Sequence, residues 1–406
     1  MIASFLRRQL RVFRRAREPR TTGLRIVRPG RRGPVQVVFE DAVVHHRASL
    51  QARVLQRSLR MVLKPALAVV PFNDRTVRAM RRFDALSARG PRSRYVEPYR
   101  FELGGVTVES MTHRYGPSSD MTILYFHGGG FFSCGIETHR RICERLALYS
   151  GATVISVDYV QIPEGTVADS VQDAITAYEA LLDQVVHPDK VVVAGDSAGG
   201  YLSMKVAELA TRRGLHPPAG VLAFSPLLSL DPDRQDKDVQ RVSRVSDAYL
   251  PLRRLRVVRK RWLPEGAEIE GAVSPLEATE HIDSPSFLLA VEDEILRPEV
   301  EAMALLLAAR GVEVETHLWR GQVHAFPVLA DALPEARIAL QLAARFARIA
   351  VGEAPRAEIE DDGSVTEPLV GELVSDDTGE FDAAEPEPEP ELATTGRRTL
   401  RSLFTA

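Results

Sequence analysis

The chain has 406 residues, 45% of them hydrophobic and 26% charged, with a net charge of −3 and two cysteines. That length accommodates one α/β domain of about 250 residues or more plus tails. Two thiols, Cys134 and Cys143, exclude a cysteine metal set and point to a reducing compartment. The small net charge conceals oppositely charged ends: residues 1–100 hold 24 Lys/Arg against 6 Asp/Glu, and residues 351–406 hold 4 against 15.

At the N-terminus, Ile2, Phe5, Leu6, Leu10 and Phe13 share one face of a helical wheel, and Arg7, Arg8, Arg11, Arg14 and Arg15 occupy most of the rest. A basic amphipathic helix of this kind suits reversible contact of residues 1–20 with an anionic membrane. The same pattern also fits a transit peptide or a loosely ordered basic extension. No signal-type apolar region follows. The best spanning candidate, Met61 to Phe72, is short and broken by Lys64 and Pro65. The chain is therefore expected in the cytoplasm, free or at the inner membrane face. Residues 1–58 are expected to form a partly helical extension outside any sheet.

The first strong strand is Thr122 to Phe126, followed at once by His127-Gly128-Gly129-Gly130. Consecutive glycines after a strand leave backbone amides free to point at one oxygen, as in an oxyanion loop. Val191 to Ala194 is a continuous apolar, β-branched run of the kind covered on both faces in a parallel sheet. It runs into Gly195-Asp196-Ser197-Ala198-Gly199, which fits G-x-S-x-G. Gly195 and Gly199 allow a strand to turn directly into a helix, leaving Ser197 exposed at the helix N-terminus where developing negative charge is favoured. Alone, that pattern could be a small-residue connection without chemistry. After HGGG, in that chain order, it reads as a nucleophile.

A serine nucleophile needs a base, and the base needs an acid. Of the ten histidines, His281, His317 and His324 lie well beyond Ser197. His281 precedes the next acidic strand end and reads as a surface loop residue. His317 falls within the alternating run Val312 to Leu318 and belongs to that strand. His324, in the glycine-containing loop after it and ahead of a helical pattern near Leu329, is placed as a base. The buried run Phe287 to Val291 ends on Glu292-Asp293-Glu294, where catalytic groups gather in open parallel sheets. Side chains alternate along a strand, so only one parity among these three acids reaches His324. The tail from residue 351, with alternating Glu and Pro from Glu385 to Glu391, has a composition that cannot offset its own ordering entropy. It is expected to be disordered from Gly352 to Thr395. No GK[ST] or G-x-G-x-x-G context surrounds any glycine cluster, so no nucleic-acid or nucleotide partner is expected.

These motifs resemble the hormone-sensitive lipase family of α/β-hydrolases, in its microbial carboxylesterase branch. The resemblance spans about Tyr99 to Ile349. It is carried by HGGGFFSCG with Thr138-His139-Arg140, the segment Asp158-Tyr159 to Pro163-Glu164, GDSAGGYL, Ser225-Pro226, Asp293 in DEILRPE, and His324. It implies a mostly parallel central sheet with helices on both faces and a helical cap, within a catalytic domain over residues 59–350. The cap would come from residues 59–92 and 230–270, with residues 351–406 as an acidic tail. The resemblance implies Ser197 as nucleophile, Asp293 as acid and His324 as base, with Gly129, Gly130 and Ala198 forming the oxyanion hole. His127, Gly128, Gly195, Asp196, Gly199 and Glu164 would support the motifs, without metal or cofactor. The expected chemistry is hydrolysis of short- to medium-chain carboxylic esters; a lactonase, deacetylase or amidase on the same triad, or a non-catalytic binding protein, are the alternatives. Val160-Gln161-Ile162 departs from the family's Arg-Leu-Ala, so any ion pair made by that arginine is missing. Ala325 likewise stands where relatives carry Gly or Val after the histidine.

Overall fold

The computed structural model describes residues 24–27, 36–39, 42–90, 92–230, 247–250, 252–264, 266–354, 358–359 and 365–366. Nine strands form the central sheet: β1 (Val43–His45), β2 (Val96–Leu103), β3 (Val106–His113), β4 (Thr122–Phe126), β5 (Thr153–Val157), β6 (Val191–Asp196), β7 (Gly220–Phe224), β8 (Ser286–Val291) and β9 (Val314–Trp319). Their order is β1-β9-β8-β7-β6-β4-β5-β3-β2. The pairings β2/β3 and β3/β5 are antiparallel and the remainder parallel. The central strands β4, β5, β6, β7 and β8 are buried along their whole length, as their unbroken apolar runs require when helices cover both faces.

Two cores flank this sheet. On one side pack α5 (Val167–Leu182), α6 (Ala198–Arg213) and α8 (Arg297–Ala309); on the other, α4 (Ile136–Ser150) and α9 (Pro334–Ala350). This is the expected α/β-hydrolase architecture. Capping signals in the sequence work locally: Thr166 accepts from the Asp169 amide while Asp169 returns to the Thr166 amide, starting α5 with both orphan donors satisfied.

The expectation that neither charged end joins the sheet fails for the N-terminal one. Residues 43–45 form edge strand β1, parallel to β9, with the His45 ring stacked on Trp319 at 3.7 Å and its Nε2 2.9 Å from His317 Nδ1. The central sheet thus takes in Val43–His45, ahead of the expected boundary at 59. Three residues, one of them histidine, are too short a run to show strand periodicity, and pairing with a preformed edge supplies what propensity does not. As expected, His317 lies in β9, buried, and His281 sits in a surface turn.

The first expected cap segment, residues 59–92, is largely helical. α1 (Leu50–Ser58) continues through the wider turn Leu59–Leu63 into α2 (Lys64–Val69), and α3 (Asp74–Ser87) follows. From the second expected cap segment, α7 (Leu252–Trp262) is described, while residues 231–246 lie outside the described residues. The amphipathic segment 1–20 also lies outside them, as does most of the acidic tail, of which the short pair Glu358–Ile359 and Val365–Thr366 is described. Among the described residues no helix is long and apolar enough to cross a membrane.

The chain returning from the cap is clamped to α6 by a buried charge cluster. Lys205 Nζ donates to Glu208 Oε2 (2.5 Å) and to the carbonyls of Glu270 and Ala272 (2.7 Å each). Glu208 Oε1 accepts from Arg212 Nε (2.8 Å) and from the Ala272 amide (2.7 Å). Lys205 and Glu208 are fully buried, so removal of one partner strands a charge without water. Lys205→Met is expected to destabilise the fold by about 3–5 kcal/mol. Arg212→Ala, which removes the partly exposed member, should cost less than about 1 kcal/mol. Denaturant midpoints of the two variants test the ordering, and equal small losses would contradict it.

Candidate active site

The site is built where β4 and β6 lie side by side and both end. β6 runs straight into α6 through Ser197, whose backbone is held at φ 51°, ψ −113°, a conformation costly for a residue with a Cβ. Such a turn leaves no space around it. A Cβ on Gly199 would lie 1.8 Å from Phe126 O, and one on Gly195 2.4 Å from the Gly199 backbone. The two flanking glycines are thus demanded by the contact between the start of α6 and the end of β4.

The HGGG loop is held against this elbow by Asp196. Its Oδ1 accepts from the Tyr125 hydroxyl (2.7 Å) and the Gly128 amide (2.9 Å), and His139 Nε2 lies 3.2 Å away. Burial acts most strongly on both charged partners and opposes ionisation, yet their pairing overcomes it: His139 is raised above its ordinary value and Asp196 held below its own. A carboxylate this deeply buried is tolerable because every contact it makes is to a donor.

The orientation of the loop amides follows from where their carbonyls are tied, since C=O and N–H of a trans peptide point opposite ways. His127 Nδ1–H donates to Gly128 O at 2.7 Å, turning the Gly129 amide inward. Gly129 O accepts from the Phe132 and Ser133 amides (3.2 and 3.0 Å) and from Ser133 Oγ (2.8 Å), turning the Gly130 amide the same way. Among the described residues neither amide is itself engaged in a hydrogen bond. Ala198, the first residue of α6, has no partner for its amide within the helix. His127 is fully buried and stacked on Tyr159 at 4.3 Å; burial and the neighbouring His139 push its pKa down to about 4, so it serves as a neutral donor.

Ser197 and His324 come together as expected, with Ser197 Oγ 2.9 Å from His324 Nε2. The acid against His324 is not Asp293. His324 Nδ1 lies 2.8 Å from Glu294 Oε2. The strand ends at Val291 and the chain turns, the Glu294 amide donating back to Val291 O (3.3 Å) and Glu294 Oε1 accepting from the Val291 amide (2.9 Å). Alternation holds only within an extended strand, so the parity argument for Asp293 lapsed two residues too early. Asp293 stays half-buried in the turn, and Glu292 pairs with Arg320 at 3.0 Å. With a carboxylate on Nδ1, the tautomer carries its proton there and Nε2 accepts from the serine hydroxyl. Burial, the strongest influence on His324, disfavours its cation. The Glu294 hydrogen bond and charge, with Asp247 and Asp196 beyond, raise its pKa above the usual 6.5 all the same.

The position after the histidine, Ala325, takes φ 53°, and its amide donates to Ser225 Oγ at 3.3 Å. At the Asp-Tyr to Pro-Glu segment, Glu164 pairs with Arg78 (3.3 Å) and with Arg81, both on α3. The cap reaches the site through Trp262, whose indole N–H donates to Gly130 O at 2.7 Å, its ring edge-on to Phe131. Arg259, fully buried, fastens α7 to Glu299 at 2.8 Å. Sequence reasoning passed over Tyr125, Trp262 and Glu294 as contributors. For Glu294 the signal lay in the consecutive acids, which could not be separated without the turn. Among the described residues no group of His, Cys, Asp and Glu is arranged to hold a metal ion.

The family described as "alpha/beta hydrolase fold" matches residues 123–328, half of the chain. Esterase LipU of Mycobacterium tuberculosis (strain ATCC 25618 / H37Rv) is 34% identical over 236 residues, which cover 57% of this chain and 78% of that protein. Carboxylesterase/phospholipase LipF of the same strain is 32% identical over 240 residues, covering 57% of this chain and 62% of that protein's length. Among solved structures, a hormone-sensitive lipase from a metagenome library superposes with a TM-score of 0.64 at 28% identity, covering 72% of this chain and 98% of that one. An esterase/lipase from an uncultured bacterium gives 0.66 at 26% identity, covering 75% and 100%. Sequence and fold thus agree over the part of the molecule that builds the elbow and the glycine loop, and the chain belongs to the hormone-sensitive lipase family of α/β-hydrolases, a family of carboxylic ester hydrolases.

Proposed function

We propose that the protein hydrolyses carboxylic esters through an acyl-enzyme formed on Ser197. The observation that carries this reading is the continuous chain from Ser197 Oγ through His324 to Glu294, at 2.9 and 2.8 Å, beside two inward-turned loop amides. His324 takes the serine proton as Oγ attacks the ester carbonyl, and the resulting imidazolium is held by Glu294. The oxyanion falls to the amides of Gly129, Gly130 and Ala198. Collapse of the tetrahedral species expels the alcohol with the proton from His324. Water, activated by the same base, then releases the acid. Neither a metal nor an organic cofactor has a part in these steps.

The aromatic packing beside the glycine loop supports short to medium acyl chains. Trp262 and Phe131 meet above the glycine loop, and Phe132 packs edge-on against Phe72 of the cap at 4.8 Å. Bulky rings packed beside the loop amides favour a short acyl group. A lactonase, amidase or deacetylase would use the same groups on a different leaving group. A binding protein would not need an aligned Ser–His–Glu chain, and its presence favours the enzyme.

Ser197→Ala should lower kcat by several orders of magnitude and abolish labelling by a fluorophosphonate while the fold is retained. Glu294→Gln should lose activity by about a hundred-fold or more, whereas Asp293→Asn should retain most of it; the reverse ordering would return the acid to Asp293. The pH dependence follows from the base. Because the folded-state pKa of His324 is raised above 6.5, the inactive imidazolium persists to higher pH than for a free imidazole. The acid limb of kcat/KM should therefore lie above pH 6.5, and the residual activity of Glu294→Gln should show it displaced to lower pH. On a series of p-nitrophenyl esters kcat/KM should be greatest at eight acyl carbons or fewer, with lactone and anilide controls turned over more slowly. A higher value for the sixteen-carbon than for the four-carbon ester would refute the short-chain reading.

A further inference from the structure

Residues 247–250 connect the cap to the site. Asp247 is 1% exposed, a burial at which a carboxylate persists only when hydrogen bonds satisfy it. Its Oδ1 accepts from the amides of Tyr249 (3.0 Å) and Leu250 (2.8 Å), and its Oδ2 accepts from the Ile295 amide (3.0 Å). Ile295 directly follows Glu294. The Tyr249 hydroxyl donates to His324 O at 3.0 Å, and its ring stands edge-on to the imidazole at 5.9 Å. From the other cap piece, Lys64 on α2 donates to Asp247 O at 2.6 Å. One short segment thus touches the acid turn, the base loop and both parts of the cap.

We propose that Asp247 is a positioning residue through which the seated cap sets the geometry and base strength of the Ser197–His324–Glu294 chain. Two effects combine. The carboxylate fixes the peptide that follows Glu294, so the acid cannot drift from Nδ1. It also adds a negative charge near the imidazolium that forms as Ser197 loses its proton. The charged and titratable groups around His324 are Glu294 from the turn after β8, Asp247 and Tyr249 from the cap, and Asp196 from the end of β6. Lys64 is the cation facing Asp247. Burial pushes the Asp247 carboxyl up, while the three amide donors and the His324 charge favour its ionised form. The proposal rests on the triad reading given above, and it makes the base depend on a cap residue outside the sheet.

The test uses the full-length protein with Asp247→Asn, which keeps an acceptor oxygen for the turn and removes the charge. For p-nitrophenyl butyrate, kcat should fall by about ten-fold with KM nearly unchanged. The acid limb of the fluorophosphonate labelling rate should move to lower pH. A purely structural role would lower thermal stability and leave that limb in place. Tyr249→Phe, which leaves the carboxylate intact, should slow labelling several-fold without moving the limb. If Asp247→Asn does not fold, Asp247→Glu, which keeps the charge but displaces it from the three amides, decides: a lowered kcat with the limb near its wild-type place supports the proposal, and wild-type kcat overturns it. Wild-type kcat and an unshifted limb in folded Asp247→Asn would overturn it as well. If Ser197→Ala still turns over substrate, the triad reading itself fails, an outcome distinct from either.

Discussion

The start of α6 rests on the end of β4 with no atom to spare, and the remaining site geometry depends on that contact. Because Phe126 O occupies the place a side chain at position 199 would need, the elbow is pressed against the strand from which the HGGG loop departs. Nucleophile and loop amides therefore share one rigid origin. The Asp196 carboxylate completes the joint by binding the Gly128 amide, the Tyr125 hydroxyl and His139 together. A buried charge is costly, and here it is retained where one group must hold three elements at once.

Protonation is set by burial and by which donors face which acceptors. His127 and His139 lie within 5.6 Å of each other, both buried, and respond oppositely. His127 has only a carbonyl on its ring proton and is driven neutral; His139 faces a carboxylate and is favoured as a cation. His324 resembles the second, with Glu294 against burial. Three histidines within one site thus have three environments, which residue type alone does not reveal.

The cap is anchored at separate points rather than by one hinge. Trp262 reaches the glycine loop, Arg259 reaches Glu299 on α8, and Arg78 and Arg81 reach Glu164. The Arg78 and Arg81 pairs tie α3 to Glu164 at the end of the Val160 to Glu164 segment.

The sequence by itself determined the parallel sheet, the elbow, the glycine loop, and the choice of Ser197 and His324. Each of these depends on local constraints: unbroken apolar runs for doubly covered strands, glycines where backbones collide, and chain order. Tertiary structure decided the rest. Val43–His45 became a strand because β9 offered an unpaired edge, which three residues cannot signal in advance. Glu294 rather than Asp293 met the base because β8 stops at Val291 and turns, and side-chain direction in a turn follows from its hydrogen bonds, not from strand period. The roles of Tyr125, Asp247 and Trp262 arise from contacts across 48 to 132 residues of chain, from Asp247 with Ile295 to Trp262 with Gly130. Pattern along the chain records what each segment must be, whereas which distant segments meet is settled only when the whole surface is buried together.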